Sequence, residues 1–177
     1  CICSPLLTMM TNREALFYGP TVLPGLTLGN AYTMVSSAVS MLLPFFLARR
    51  FLGNTHSHEL ILRILCYFAL VMSLLILIEV RLSPQLNIWI YGFMPHSFHQ
   101  HVRAGGYRPM LFLHHGLWVG IIISMSVVAA LTLFKNSTGR ARWQWLAVSV
   151  WLFITLVLCK TIGALVIGVL LGAVVLF

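Results

Sequence analysis

Residues 110–134 read MLFLHHGLWVGIIISMSVVAALTLF, with Arg108-Pro109 before them and Lys135 after. No Asp, Glu, Lys or Arg interrupts the run. An uncharged apolar stretch of about 18 residues or more reads as a helix able to cross a bilayer. Working outward, comparable runs occupy residues 31–48, 60–78, 145–159 and 162–177. The last two fall short of the roughly 20 residues a span needs, so they are expected to be short or tilted. The expected fold is an all-α, polytopic integral membrane helical bundle with about five spans. The chain starts at Cys1 and stops at Phe177 inside an apolar run, so it is expected to be a piece of a longer protein.

Composition points the same way. Of the 177 residues, 60% are hydrophobic and 8% charged, against about 25% charged in an ordinary soluble domain. Water would face more apolar surface than a fold of this size can hide, whereas a lipid bilayer accepts it. Three glutamates and no aspartate oppose eleven Lys and Arg, a net charge of +8. The cations lie mostly in the gaps between apolar runs. That placement points to membrane topology or anionic head groups, and no nucleic-acid partner is expected. Cys66 and Cys159 sit in apolar runs and read as small hydrophobes, and no disulfide framework is implied.

Residues 1–30, punctuated by Pro5, Pro20, Pro24, Gly19 and Gly25, read as an outer or interfacial segment without regular helix. Residues 31–177 read as the transmembrane bundle, in which Pro44 is expected to kink its span, with neighbouring helices absorbing the lost hydrogen bond. The loops 49–59 and 135–144 hold Arg49, Arg50, Lys135, Arg140 and Arg142 and are separated by two spans. By the positive-inside rule both face the cytoplasm, which puts the connection 79–109 outside. That connection carries Arg81, Arg103 and Arg108 against the rule, so its arginines serve either head-group anchoring or chemistry.

The chemistry-bearing residues concentrate there. Five of the seven histidines fall between Glu79 and His115. Trp89, Tyr91 and Phe93 suit an interfacial piece. Gly105-Gly106 makes a bend, and Pro109 is expected at the first turn of the third span, with Arg108 at its outer end. A guanidinium there either snorkels to head groups or grips phosphate in a two-point fork. His114 and His115 are expected about one turn inside the membrane, one bonding a neighbouring helix and the other acting as acid, base or ligand contact. His96, His99 and His101 lack a nearby carboxylate and a fourth ligand, so no metal site is expected. Without Asp clusters no divalent-ion cofactor is expected either.

The order of these features resembles the core of the bacterial O-antigen ligase and O-antigen polymerase-like membrane proteins. The resemblance rests on Glu79-Val-Arg-Leu-Ser-Pro84-Gln-Leu, Tyr91-Gly-Phe-Met-Pro-His96, Gly105-Gly-Tyr-Arg108-Pro109 before a span, a basic loop, and Lys160-Thr-Ile-Gly-Ala164 two spans later. It covers roughly residues 75–177. Where that family often shows Ser-Arg, this chain has Thr161-Ile162, with Lys160 as the nearby cation. The resemblance implies a multi-pass protein of the bacterial inner membrane. It implies a metal-independent glycosyl transfer at the outer face, from a glycan on undecaprenyl (polyprenyl) diphosphate to an acceptor glycan or lipid. Arg108, Arg103, Arg81 and Lys160 would then hold the diphosphate, and His114, His115 or Glu79 would act as catalytic base. Two other readings fit a basic groove: a polysaccharide or lipid transporter (flippase) subunit, and a non-catalytic membrane assembly subunit.

Overall fold

The computed structural model describes residues 3–94, 97–103 and 105–177. Helices dominate, and the chain divides into two compact units, residues 1–57 and 58–177.

The first unit holds α1 (Ser4–Thr11), a hairpin of β1 (Leu16–Tyr18) and β2 (Thr21–Leu23), and α2 (Leu28–Phe51). Residues 3–30 thus hold more regular structure than their Pro and Gly content suggested. Pro5 falls in the first turn of α1, where its missing N–H costs nothing. Gly19 supplies the positive φ that the hairpin turn requires. Thr27 opens α2 through a reciprocal capping box with Asn30, and α2 runs through Pro44 to Arg49-Arg50 in its last turn. The loop expected at 49–59 therefore shrinks to the few residues between α2 and α3 (Thr55–Leu82).

The second unit is a helical bundle: most of α3, then α5 (Gly116–Asn136), α6 (Gly139–Leu158) and α7 (Ile162–Leu176). Across the chain, α2, α3, α5 and α6 are long and apolar enough to cross a membrane. The fifth apolar run forms α7, which at 15 residues, about 22 Å at the helical rise, is shorter than these four, as expected.

Helix α5 is the hub, packing against both α6 and α7. Lipid tails are as apolar as leucine, so close packing and internal hydrogen bonds hold such helices together. Small residues on α7 supply that closeness. A Cβ on Gly168 would lie 2.7 Å from Ser124 Oγ, and the same hydroxyl donates to the Ala164 carbonyl at 2.9 Å. Helix α3 joins through Trp151 Nε1, which donates to Ser73 Oγ at 2.8 Å, and through Ala69, Met72 and Ile76 in the shared core. A second cluster joins Cys66 of α3, Ala129, Ala130 and Leu133 late in α5, and Trp145 early in α6. The start of α3, the end of α5 and the start of α6 therefore share one end of the unit.

The opposite end is built by the connection after α3. It contains α4 (Leu86–Tyr91), a 3-10 turn (Phe98–His101) and a hairpin of β3 (Val102–Arg103) and β4 (Gly106–Tyr107). Two expectations are corrected here. Helix α3 keeps Glu79 and Arg81, so the connection begins after Leu82. The third span begins at Gly116, not residue 110, so Pro109 is not in its first turn and His114 and His115 precede the helix. The reason is local: Met110 and Leu111 give their N–H groups to the Glu79 carboxylate, and Leu111 takes a left-handed conformation (φ +53°) that no α-helix continues.

A candidate anion-binding groove

Glu79 is the base on which this end is assembled. Its side chain is fully buried near the end of α3. One carboxylate oxygen accepts the Leu86 N–H (3.2 Å), and the other accepts those of Met110 (2.8 Å) and Leu111 (2.7 Å). From α4, the buried Asn87 donates its side-chain N–H to the Leu111 carbonyl at 2.5 Å. Leu111 is thus held on both sides; a leucine in the left-handed region costs about 1–3 kcal/mol and persists only where its surroundings enforce it. The expected role of Glu79 as a base is corrected on this ground. Its oxygens are committed to backbone N–H groups, and it does not line the groove described next.

That groove has a volume of about 840 Å³ and is lined by Arg103, Arg108, His115, Leu117, Lys160, Thr161, Ile162 and Gly163. It brings together three of the four cations singled out from sequence. Arg81 is exposed on α3 and does not line it, and neither does the exposed His114.

Arg108 is the centre of the site. Only 4% of it is exposed, its backbone N–H is fixed by the His101 carbonyl at 2.7 Å, and its buried Nε has no hydrogen-bond partner among the described residues. The side chain lies across the start of α5. A Cβ on Gly116 would stand 3.1 Å from Arg108 Cγ and Nε, and 2.7 Å from the Pro109 carbonyl oxygen. Glycine at this position is what lets the guanidinium pass.

Among the described residues no carboxylate pairs with that charge. Burial, and next the Arg103 charge, push the Arg108 pKa below its ordinary value. Cys159 is buried, which raises its thiol to about 12, so at neutral pH it is uncharged. The first-turn N–H groups of α5 and α7, each the positive end of a helix dipole, begin at the groove's lining residues. A buried guanidinium beside other positive groups is costly unless an anion joins it.

Lys160 and His115 complete the rim. Lys160 sits in the break between α6 and α7 with φ +50°, a second strained position, and its Nζ donates to the Arg103 carbonyl at 3.0 Å. It thereby ties the β3–β4 hairpin to the start of α7. His115 caps α5, its Nδ1 accepting the Leu117 N–H at 3.0 Å. In the neutral ring the proton then resides on Nε2. Its ring centre is 5.9 Å from that of the buried His101. No family model, curated protein or solved structure matches the chain.

The histidine trio weighed for metal is not described in full: His96 lies outside the described residues, His99 is exposed, and His101 is buried against His115. Sequence reasoning missed Asn87, Gly116 and the capping role of His115. The sequence signal for the last two was the adjacency His115-Gly116, an acceptor followed by the smallest residue at a helix start.

Proposed function

We propose that the groove holds the diphosphate of a polyprenyl-linked glycan at the outer face of a bacterial inner membrane, and that the protein transfers this glycan to an acceptor as a ligase or polymerase. The observation that carries the reading is Arg108, a buried cation without a counter-charge among the described residues, beside two helix N-termini. In the transfer, an acceptor hydroxyl attacks the anomeric carbon, the carbon–oxygen bond to phosphate breaks, and its electron pair leaves on the diphosphate. Prepositioned donors are worth most on that leaving group. Arg108, Arg103 and Lys160 supply charge. With Nδ1 of His115 committed to the cap, Glu79 committed to backbone and His114 outside the groove, no groove residue is assigned as base, and the acceptor proton passes to water at the open face of the site.

The positive-inside rule puts the groove outward, because Lys135, Arg140 and Arg142 lie at the opposite end of the unit. A membrane-impermeant thiol reagent on intact cells is expected to label Ser97→Cys and not Ser137→Cys. The function is tested by glycan complementation with a quantitative membrane blot. Arg108→Ala is expected to abolish transfer and Arg108→Lys to leave little, since lysine keeps the charge and loses the planar fork. A charge-assisted contact of about 1.5–3 kcal/mol corresponds to roughly ten- to a hundred-fold in rate. Wild-type glycan levels from Arg108→Ala would remove the donor site from this end of the protein.

A further inference from the structure

A second groove, about 410 Å³ and almost wholly apolar, runs along α5 between α3 and α7. Its α5 wall includes Ile121, Met125, Val128 and Thr132, and its α7 wall includes Ile167 and Leu171. These positions lie one helical turn beyond those of the cationic groove. Leu117 lines the cationic groove and Ile121, one turn on, lines the apolar one. On α7 the step from Gly163 to Ile167 does the same. Residues 117, 121, 125, 128 and 132 follow helical spacing and form one face. From Leu117 to Thr132 that face is about 22 Å long, more than the roughly 15 Å depth of a single leaflet.

We infer that the two grooves form one amphiphile site, in which the hydrocarbon of the phosphate ligand is taken up between α3 and α7 and does not spread through the bulk bilayer. The inference rests on the proposed diphosphate site and names its ligand class further: a long prenyl chain bearing a charged head. Continuity with the Arg108 groove is what assigns the occupant, because a chain leaving a phosphate at Arg108 meets Leu117 and Ile121 next. The chain enters sideways from the membrane, through the gap that exposes Met125 and Ile167.

Hydrocarbon gains little by passing from lipid into an apolar groove, so position is the readout, not affinity. The purified full chain in lipid nanodiscs is photolabelled with a polyprenyl diphosphate carrying a diazirine in its third isoprene unit. Labelled residues are mapped by mass spectrometry, with and without excess undecaprenyl diphosphate. Competable label is expected on Ile121, Val128 and Ile167, with at least a five-fold loss in Arg108→Ala. It should move off the groove in Val128→Trp, or in Met125→Trp, whose site is exposed and tolerant, should the first variant fail to fold. Competable, Arg108-dependent label spread equally over the lipid-facing Ile154 and Val157 of α6 would overturn this inference and leave the head-group reading intact. Groove label indifferent to Arg108 and to competitor would overturn the head-group reading instead, and the single amphiphile site with it.

Discussion

The two ends of the second unit both carry cations, and they carry them differently. At the end where α3 begins, Arg63, Arg142 and Lys135 have local partners. Arg63 pairs with Glu59 at 2.6 Å and lies 5.7 Å from the Trp145 ring centre. Arg142 lies 4.7 Å over Phe134, and Lys135 donates to the Val175 carbonyl at 2.6 Å. These are contacts of interfacial anchors, and exposed pairs of this kind contribute little to stability. At the other end Arg108 is buried, and Glu79 is occupied with backbone. Side chains of the same charge thus report different things, and the distinction is burial without a counter-ion among the described residues.

The sharpest way to break this comparison is to remove the platform beneath the groove. Glu79→Ala leaves three buried N–H groups without an acceptor, each costing about 1–3 kcal/mol. The expected result is a large fall in detergent melting temperature and in folded yield, read by fluorescence-detected size exclusion. A wild-type melting curve would show that the connection holds its shape by other means.

A smaller effect is expected at the helix start. Gly116→Ala forces a methyl against Arg108 and the Pro109 carbonyl, whereas Gly163→Ala meets open space although Gly163 also lines the groove. Overpacking of this kind costs about 1–3 kcal/mol. Gly116→Ala is therefore expected to cut glycan transfer about ten-fold or more and Gly163→Ala to leave it within two-fold, measured in the same complementation assay. Equal behaviour of the two would mean that the path of Arg108 over α5 is unimportant.

The smallest effect belongs to the opposite end. Arg142→Ala removes a cation from a phenylalanine face and touches nothing in the groove. Glycan levels normalised to membrane protein are expected to match wild type. A loss as large as that from Arg108→Ala would erase the distinction between the two ends.

Much of the architecture was legible in the sequence because apolar runs bounded by cations report span positions directly. The middle of α2, α3, α5 and α6 lies where composition placed it. What failed to show was the start of α5. The apolar run begins at Met110, but hydropathy does not register that Met110 and Leu111 give their N–H groups to a glutamate 31 and 32 residues earlier. For the same reason Glu79 read as a free carboxylate and His115 as a free imidazole. The grouping of Arg103, Arg108 and Lys160 was visible as a list of cations, but only the hairpin and the α6–α7 break bring them to one groove. Arg81 had the same standing in sequence and is left outside.

The most direct test is equilibrium binding of inorganic diphosphate to the purified protein by isothermal titration, comparing wild type, Arg108→Ala and Arg142→Ala at fixed salt. The account predicts saturable binding to wild type, the same affinity in Arg142→Ala, and a loss of at least ten-fold in Arg108→Ala. Equal weakening in both variants, or binding that survives without Arg108, would contradict it.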